Sequence, residues 1–270
     1  MDICVLERAA ETLLGPPNLV SPESRREAEQ LFHNIKQELT IETAGQVIRN
    51  TKNQCVLFQI AQMTGEIVLR DWVLLSREQI VHTYKMLLEF VAQREDLSHY
   101  ARTEFLRSVA MILKRGILDG KTGDQEELFQ LIHNLLVNQH HRLQAIGGEL
   151  ISAITQQFSS SWRNTKFSIT WDFHVRAKSE FEDTGLRRLL EMSLKTLHAL
   201  ASQSDILPDE FARRICDKFL EVRCSSCEYF ISPPSDNWFF KVAETTLSWN
   251  FASKIFRRVF SLCQVSFCIY

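Results

Sequence analysis

Glycine and proline are scarce in this sequence, which has nine Gly and six Pro among its 270 residues. Folds built from many short strands need turn residues about every 8 to 12 positions, so an all-β sandwich or barrel is disfavoured. Long helices joined by short turns need far fewer of them. Because 45% of the residues are hydrophobic and 24% are charged, the chain can bury a large core, unlike a disordered segment. The composition therefore predicts a folded helical protein.

The sequence also lacks a strong charge of one sign and a long apolar run. Its net charge is −2 and its pI about 6.5, so no overall field attracts nucleic acid, and pairs such as Arg213-Arg214 and Arg257-Arg258 are typical of solvated helix faces. No run approaches the roughly 20 apolar residues that span a bilayer. The N-terminal stretch MDICVLERAAETLLG carries acids instead of the basic start of a signal peptide. We expect no nucleic-acid partner, no membrane insertion and a location in the cytosol or nucleus.

Amphipathic helical segments follow one another along the whole chain. The stretch SPESRREAEQLFHNIKQ is typical, because Ser21 can cap a helix, Pro22 suits its first position and an apolar stripe follows at helical spacing. No alternating strand pattern is long enough to compete. The predicted helices span residues 2–14, 21–38, 41–50, 53–70, 76–96, 98–115, 124–138, 139–158, 173–183, 185–203, 208–230 and 236–262.

The spacing of these segments predicts a repeat. The helices that we take as second in each pair begin near residues 53, 98, 139 and 185, at intervals of 45, 41 and 46 residues. These intervals fall within the ~40 to 47 residue period of HEAT and armadillo arrays. We therefore predict an all-α fold, a HEAT-type helical-hairpin solenoid wound as a right-handed superhelix of about six helix pairs. Any series of antiparallel helices of about 18 residues gives similar intervals, so the spacing alone leaves other helical folds open.

Two stretches, REAEQLFHNIKQ and NQCVLFQIAQMTGEIVLRDWVLLSREQIVHTYKMLLEFV, share a pattern of residues with a known family. An Ala-Glu-x-x-Leu helix precedes a helix of small and apolar residues, and a loop with Trp and Leu then leads into an acidic helix start. This pattern resembles the N-terminal module of the importin-β-like nuclear transport receptors, over about residues 21–115. The stretches SHYARTEFLRSVAMILKRG and TTLSWNFASKIF resemble its exportin branch. The matching residues are Ala28, Glu29, Leu31, Ala61, Gly65, Leu69, Trp72, Leu75, Glu78 and Ile80.

The resemblance also sets an expectation for the domain organisation. Residues 1–260 are expected to form one N-terminal HEAT-repeat array, and the tail 261–270 matches no part of the family. Family members are several times longer than this chain. We therefore expect the sequence to correspond to an N-terminal part or a truncated form of such a receptor.

The resemblance implies a carrier and not an enzyme. Exportins bind Ran-GTP and protein cargo together, contact Phe-Gly-rich nucleoporins in the nuclear pore, and shuttle between nucleus and cytoplasm. The family's Ran site lies on the concave second helices of the first repeats, here 53–70, 98–115 and 139–158. The outward polar residues of these helices are the candidate Ran-binding residues: Gln59, Gln62, Glu66, Arg70, Thr103, Arg107, Lys114, His141, Gln144, Ser152 and Thr155.

Three other interpretations stay open. Polar residues on an amphipathic helix are most often only its solvated face. A HEAT-repeat scaffold or adaptor with no role in Ran-dependent transport would share the periodicity, and a compact helical enzyme would need a closed pocket that a repeat array does not supply.

Several short motifs imitate chemical sites without meeting their requirements. Gly120-Lys121-Thr122 follows a helix and lacks the earlier Gly of a phosphate loop, so we interpret it as a helix stop. Adjacent residues such as His140 and His141 point in different directions on a helix, so a shared metal ion is not expected. No Ser, His and acid group forms a compact catalytic set. We predict no enzyme activity, no cofactor and no metal.

The cysteines also indicate an absence of metal and disulfides. There are seven, an odd number without a secretory signal, which is typical of a reducing compartment. Cys224 and Cys227 have the spacing of zinc ligands, but no second pair of ligands lies at a matching distance. We interpret them as buried thiols.

Replacing Cys224 and Cys227 together with Ala should therefore cost about 1 to 2 kcal/mol of stability, the loss expected from packing alone. Chelators should not change the unfolding curve of either protein. Stoichiometric zinc in the purified protein that disappears in the double variant would contradict the interpretation.

Overall fold

The computed structural model describes residues 2–16, 18–159 and 169–202, and within these ranges every regular element is helical, with no strand. The all-α prediction is confirmed. The predicted helices 208–230 and 236–262, the Cys224 and Cys227 pair and the tail 261–270 lie outside the described residues. The helices are α1 (Ile3–Leu14), α2 (Pro22–Glu38), α3 (Ile41–Asn50), α4 (Gln54–Arg70), α5 (Arg77–Gln93), α6 (His99–Gly116), α7 (Gln125–Leu136), α8 (His141–Ser159), α9 (Trp171–Phe181) and α10 (Arg187–Ser202).

Side-chain caps fix where most of these helices begin. The Ser21 hydroxyl accepts a hydrogen bond from the backbone N–H of Ser24, as the sequence predicts for α2. Asn53 caps α4, and Ser76 and Gln79 form a reciprocal capping box at the start of α5. Each such cap contributes about 1 kcal/mol and satisfies backbone donors that would otherwise lack partners. The helix starts are therefore encoded locally, which explains why the sequence locates them well.

The chain divides into two compact units, which we describe separately. The first contains Met1–Leu128 and Ser161–Glu180, and the second contains Phe129–Ser160 and Phe181–Tyr270. In the first unit, α1 packs on α2, α3 on α4, and α5 on α6. These are the helix pairs that the sequence predicts. The second helices begin at Gln54, His99 and His141, which places them 45 and 42 residues apart, as the repeat requires.

The closest contact of the first unit joins α4 to α6, which lie side by side in parallel. At their starts, the side chain of Gln54 accepts a hydrogen bond from the N–H of Ser98 at 2.8 Å. Further along, the Ser108 hydroxyl donates to the carbonyl of Ala61 at 2.8 Å. A Cβ atom on Gly65 would lie 2.9 Å from the Ser108 hydroxyl oxygen, nearer than van der Waals contact allows. Gly65 therefore lets the two backbones approach closely enough for this bond.

The predicted division between helices 173–183 and 185–203 is wrong, because the helix does not stop there. A π-helical segment, Glu182–Leu186, joins α9 directly to α10. Gly185 does not adopt the left-handed conformation that ends helices, unlike Gly120, whose φ is 67° in the turn after α6. The chain absorbs Gly185 in one wide helical turn, which is how π segments usually occur.

The second unit packs its aromatic residues around this π-helical segment. The rings of Phe158 and Phe181 stack with their centroids 4.1 Å apart. A Cβ atom on Gly185 would lie 2.9 Å from the Phe181 ring, and the Arg188 guanidinium lies 4.6 Å from the centroid of Phe129. The missing side chain at position 185 therefore makes room for Phe181. Gly185 therefore serves side-chain packing and does not mark a helix end.

Replacing Gly65 with Val should destabilise the protein by about 1 to 3 kcal/mol, since two extra methyl groups and a Cβ would force α4 away from α6. Gln62→Val, one turn earlier on the partly exposed side of α4, is the matched control and should cost much less. Urea unfolding followed by circular dichroism measures both. Equal midpoints for the two variants would contradict the close approach at Gly65.

Candidate functional site

On α4 the structure separates the buried and outward residues as the sequence predicts. The packing stripe of Val56, Ile60, Met63 and Ile67 is buried throughout. On the other side of the helix lie the four predicted Ran-binding residues. Arg70 is exposed, and the other three are partly exposed: Gln59, Gln62 and Glu66.

Two predicted residues of α6 belong to the same neighbourhood. Thr103 is exposed and Arg107 is partly exposed, one turn apart. The rings of Phe58 on α4 and Tyr100 on α6 lie 5.9 Å apart, one turn before Gln62 and Thr103, so these parallel helices present their outward residues side by side. We call this surface the α4–α6 face, made of Gln59, Gln62, Glu66, Arg70, Thr103 and Arg107.

Phe58 and Tyr100 lie next to the α4–α6 face, and the sequence prediction did not include them. Tyr100 keeps 48% of its surface exposed. Its spacing of three residues before Thr103 places it on the same side of α6, and Phe58 stands four residues before Gln62. An aromatic residue at this spacing from an outward polar residue is the signal in the sequence that could have identified them.

The charged residues of the α4–α6 face form ion pairs within the protein. Glu66 pairs with Lys36 of α2. Arg70 donates two hydrogen bonds to Asp71, at 2.8 and 2.7 Å, and this hydrogen bonding lowers the pKa of the Asp71 carboxyl group. The opposite charges leave the face close to neutral. Its recognition chemistry therefore depends largely on neutral groups.

Gln59 and Gln62 are the most available of these neutral groups. Within the described part of the chain, neither side-chain amide makes a hydrogen bond, so each can donate and accept toward a partner. The Thr103 hydroxyl donates to the carbonyl of His99 at 2.9 Å and keeps its acceptor capacity. These three side chains can bind a polar protein surface without first breaking an ion pair.

The predicted residues of α8 lie in the second unit and divide into two groups. His141 and Gln144 are partly exposed and contact each other, with 3.3 Å between the imidazole Nδ1 and the amide oxygen. Ser152 and Thr155 are buried, so their assignment to an outward face is wrong. The Thr155 hydroxyl donates to the carbonyl of Ile151 at 2.8 Å. A hydroxyl satisfied within its own helix can be buried at little cost, which helical spacing alone does not reveal.

Lys114 is also misassigned, since the structure buries it with 3% of its surface exposed. Removal of the ammonium from water lowers the pKa of Lys114 to about 8. Next to it on α6, the Arg115 guanidinium lies 5.1 Å from the ring of Phe173 on α9. The end of α6 is therefore covered by a helix almost sixty residues later in the chain. Local periodicity cannot predict that cover.

The turn after α6 contains the Gly-Lys-Thr sequence, and Lys121 has a structural role there. Its ammonium donates to the carbonyls of Trp72 at 2.9 Å and Leu75 at 3.1 Å. The Trp72 indole N–H donates to the Asp119 carboxylate at 2.7 Å, and Arg115 lies 5.1 Å from the indole ring. This Trp72 cluster ties the α4–α5 turn to the end of α6. The lysine that imitates a phosphate ligand binds backbone carbonyls instead.

No protein-family model matches the chain. In the part that the structure describes, no group of three or more His, Cys, Asp and Glu side chains is placed to hold a metal ion. Among the same residues, no helix is both long and apolar enough to cross a membrane.

Replacing Lys114 with Met should stabilise the protein at pH 7, because it removes a buried ammonium while keeping most of the packing. The pKa falls from its ordinary 10.5 to about 8 on folding, which corresponds to at most about 3 kcal/mol. Between these pH values the unfolded chain holds more protons than the folded one, so wild-type stability rises with pH. The advantage of Lys114→Met should shrink from pH 8 to 10.5.

Thermal unfolding of both proteins across this range, compared at each pH, tests the prediction and cancels the titration of other groups. A variant less stable than wild type at pH 7 would contradict it.

Proposed function

We propose that this chain is the N-terminal part of a nuclear export receptor that binds Ran-GTP and protein cargo. The observation that carries the proposal is the α4–α6 face, where second helices of consecutive pairs lie parallel and present polar residues. The fold is consistent with a helical-hairpin solenoid, and the proposal includes its right-handed superhelix. It also includes weak contacts with Phe-Gly-rich nucleoporins and shuttling between nucleus and cytoplasm.

The positions of the residues that carry the resemblance support this proposal. Ala28, Ala61, Trp72 and Ile80 are all buried, and Gly65 lies at the α4–α6 contact. Of these, Gly65 permits the close approach of α4 and α6, and Trp72 holds the turn that follows α4 to the end of α6. These residues of the resemblance therefore have structural roles in the helical module. These positions support the presence of the helical module, and we propose that the module binds Ran.

On the α4–α6 face, we assign direct contacts with Ran to Gln59, Gln62 and Thr103. Their side chains are accessible and need no ion pair to break. Tyr100 adds an exposed ring beside them, and aromatic residues are enriched among the residues that dominate protein interfaces. His141 and Gln144 of α8 remain candidates in the second unit. We withdraw Lys114, Ser152 and Thr155 from the binding site because they are buried.

We expect the chain to prefer the GTP-bound state of Ran because the switch loops of GTPases change with the bound nucleotide. The γ-phosphate and its Mg²⁺ order the switch loops, which are released after hydrolysis. A rigid face of neutral donors and acceptors can bind ordered loops at a smaller entropic cost than mobile ones. The alternative is a HEAT-repeat scaffold, which would bind its partners without regard to the nucleotide on Ran.

The test is direct binding of the chain to Ran loaded with GDP or with a non-hydrolysable GTP analogue, measured by calorimetry. We expect tighter binding to the GTP analogue. The double variant Gln62→Arg/Thr103→Arg should weaken that binding about tenfold or more, since two bulky charges replace interface residues.

The matched control is His82→Arg/Gln93→Arg, which adds two Arg side chains at exposed positions of α5. It should bind like wild type, because α5 is the first helix of its pair and lies outside the α4–α6 face. Equal affinity for both nucleotide states would favour the scaffold. Equal loss in both double variants would reject the α4–α6 face as the Ran site.

A further inference from the structure

The imidazole of His174 is an unusual group that the proposed function does not use, because its two nitrogens are buried although the residue as a whole is only partly buried. Both of its ring nitrogens are shielded from solvent and have no hydrogen-bond partner among the described residues. The ring of Phe173 meets it edge-on, with 5.7 Å between centroids. A neutral imidazole tolerates such a position, although its donor and acceptor remain unpaired. A protonated one would carry a charge with two donors and no acceptor.

The surroundings of His174 would oppose that charge. From α6, Lys114 lies buried close enough to act on His174 electrostatically, and the Arg115 guanidinium stacks on the neighbouring Phe173. On α9 itself, Asp172 and Arg176 form an ion pair at 3.9 Å and are largely exposed. Beyond Arg115, Asp119 and Lys121 bind the indole and the carbonyl of Trp72. Among the described residues, Lys114 is therefore the charged group of α6 that acts on His174.

We propose that α9 is an acid-sensitive clasp on α6, which opens when His174 takes up a proton and its imidazolium repels the buried ammonium of Lys114. In the neutral state, Phe173 on Arg115 and the packed imidazole hold α9 in place. On protonation, the burial of the two nitrogens penalises the charged ring far more than the neutral one. Separation of α9 restores water to both cations.

The direction of the pH dependence follows from linkage. Burial, and secondarily the charge of Lys114, lower the pKa of His174 from its ordinary 6.5. The contribution of neutral His174 to α9 docking is therefore complete above pH 6.5 and is lost as pH falls toward the folded pKa. Within that window, each pH unit should increase the opening constant of α9 by up to about tenfold. Below the folded pKa the effect levels off.

Hydrogen exchange of the full chain, followed by mass spectrometry at pH 5.5 and 7.5 and corrected for intrinsic exchange rates, measures this opening. Peptides of α9 should lose protection at pH 5.5 by up to about tenfold relative to pH 7.5. His174→Phe should abolish this difference. The control His133→Gln, at an exposed position of α7, should behave like wild type. Equal α9 protection at both pH values in wild type, or a pH effect that persists in His174→Phe, would overturn the proposal.

A second measurement does not depend on the folding of the His174→Phe variant. The Cε1–H resonance of His174 in wild type should titrate with a midpoint below 6.5. Its midpoint should move upward in Lys114→Met, because one of the two causes of the lowered pKa is removed. A wild-type midpoint at or above 6.5, or one unchanged by Lys114→Met, would equally reject the clasp.

Discussion

The parallel packing of α4 on α6 is the contact on which the candidate surface depends. It combines a missing side chain at Gly65 with a hydrogen bond from Ser108 to a carbonyl of the neighbouring helix at 2.8 Å. Small residues permit the approach, and the bond satisfies a hydroxyl that the approach buries. The outward residues of both helices then lie side by side, with the Phe58 and Tyr100 rings 5.9 Å apart one turn before Gln62 and Thr103. The α4–α6 face is in this sense a consequence of the helix packing beside it.

A second set of contacts fixes the end of α6. The Arg115 guanidinium lies 5.1 Å from both Trp72 and Phe173, so one cation joins the α4–α5 turn to α9. Such cation–π contacts are worth about 0.5 to 2 kcal/mol each, more when desolvated. Lys121 and Asp119 add hydrogen bonds to the same turn. Trp72, which carries part of the family resemblance, is therefore an anchor for the chain around it and not a binding residue.

The features that the sequence predicts well are those determined by neighbouring residues. Caps such as Ser21 and Ser76 fix helix starts within one turn, and the stripe of Val56, Ile60, Met63 and Ile67 fixes the buried side of α4. Two of the wrong predictions from sequence concern positions whose surroundings come from distant parts of the chain. Lys114 is buried at the end of α6, which α9 covers, and a Cβ atom on Gly185 would lie 3.5 Å from Phe129, more than fifty residues earlier in the chain. No local pattern contains this information.

The assignments of Ser152 and Thr155 to an outward face are wrong for a different reason, since both hydroxyls find partners within α8: Ser152 accepts from the Gln156 amide, and Thr155 donates to the carbonyl of Ile151. A hydroxyl counts as polar in any periodicity, yet it can bond to a carbonyl of its own helix and then behave as a small apolar group. The same bond occurs at Thr64 and Ser193, both buried. Buried Ser and Thr are therefore common in these helices. Polar character alone therefore does not identify an outward face in these helices, and the carboxylate of Glu104 on α6 is buried as well.

The ion pairs of the α4–α6 face differ in how readily a partner could replace them. Arg70 pairs with the next residue, Asp71, and the two side chains are 40% and 30% exposed. Exposed pairs of this kind contribute about 0 to 1 kcal/mol, so exchanging one for a partner's carboxylate costs little. Glu66 is different, since only 12% of its side chain is exposed and its ion pair joins α4 to α2. A partner that displaced Lys36 would have to supply its own cation to the Glu66 carboxylate, because an unpaired charge at this nearly buried position is costly. Arg107 resembles Glu66 in this respect, because its partner Glu104 is only 7% exposed. Recognition on this face is therefore open to an acidic group at Arg70, whereas displacing the ion pair of Arg107 or of Glu66 would leave a buried carboxylate without its partner.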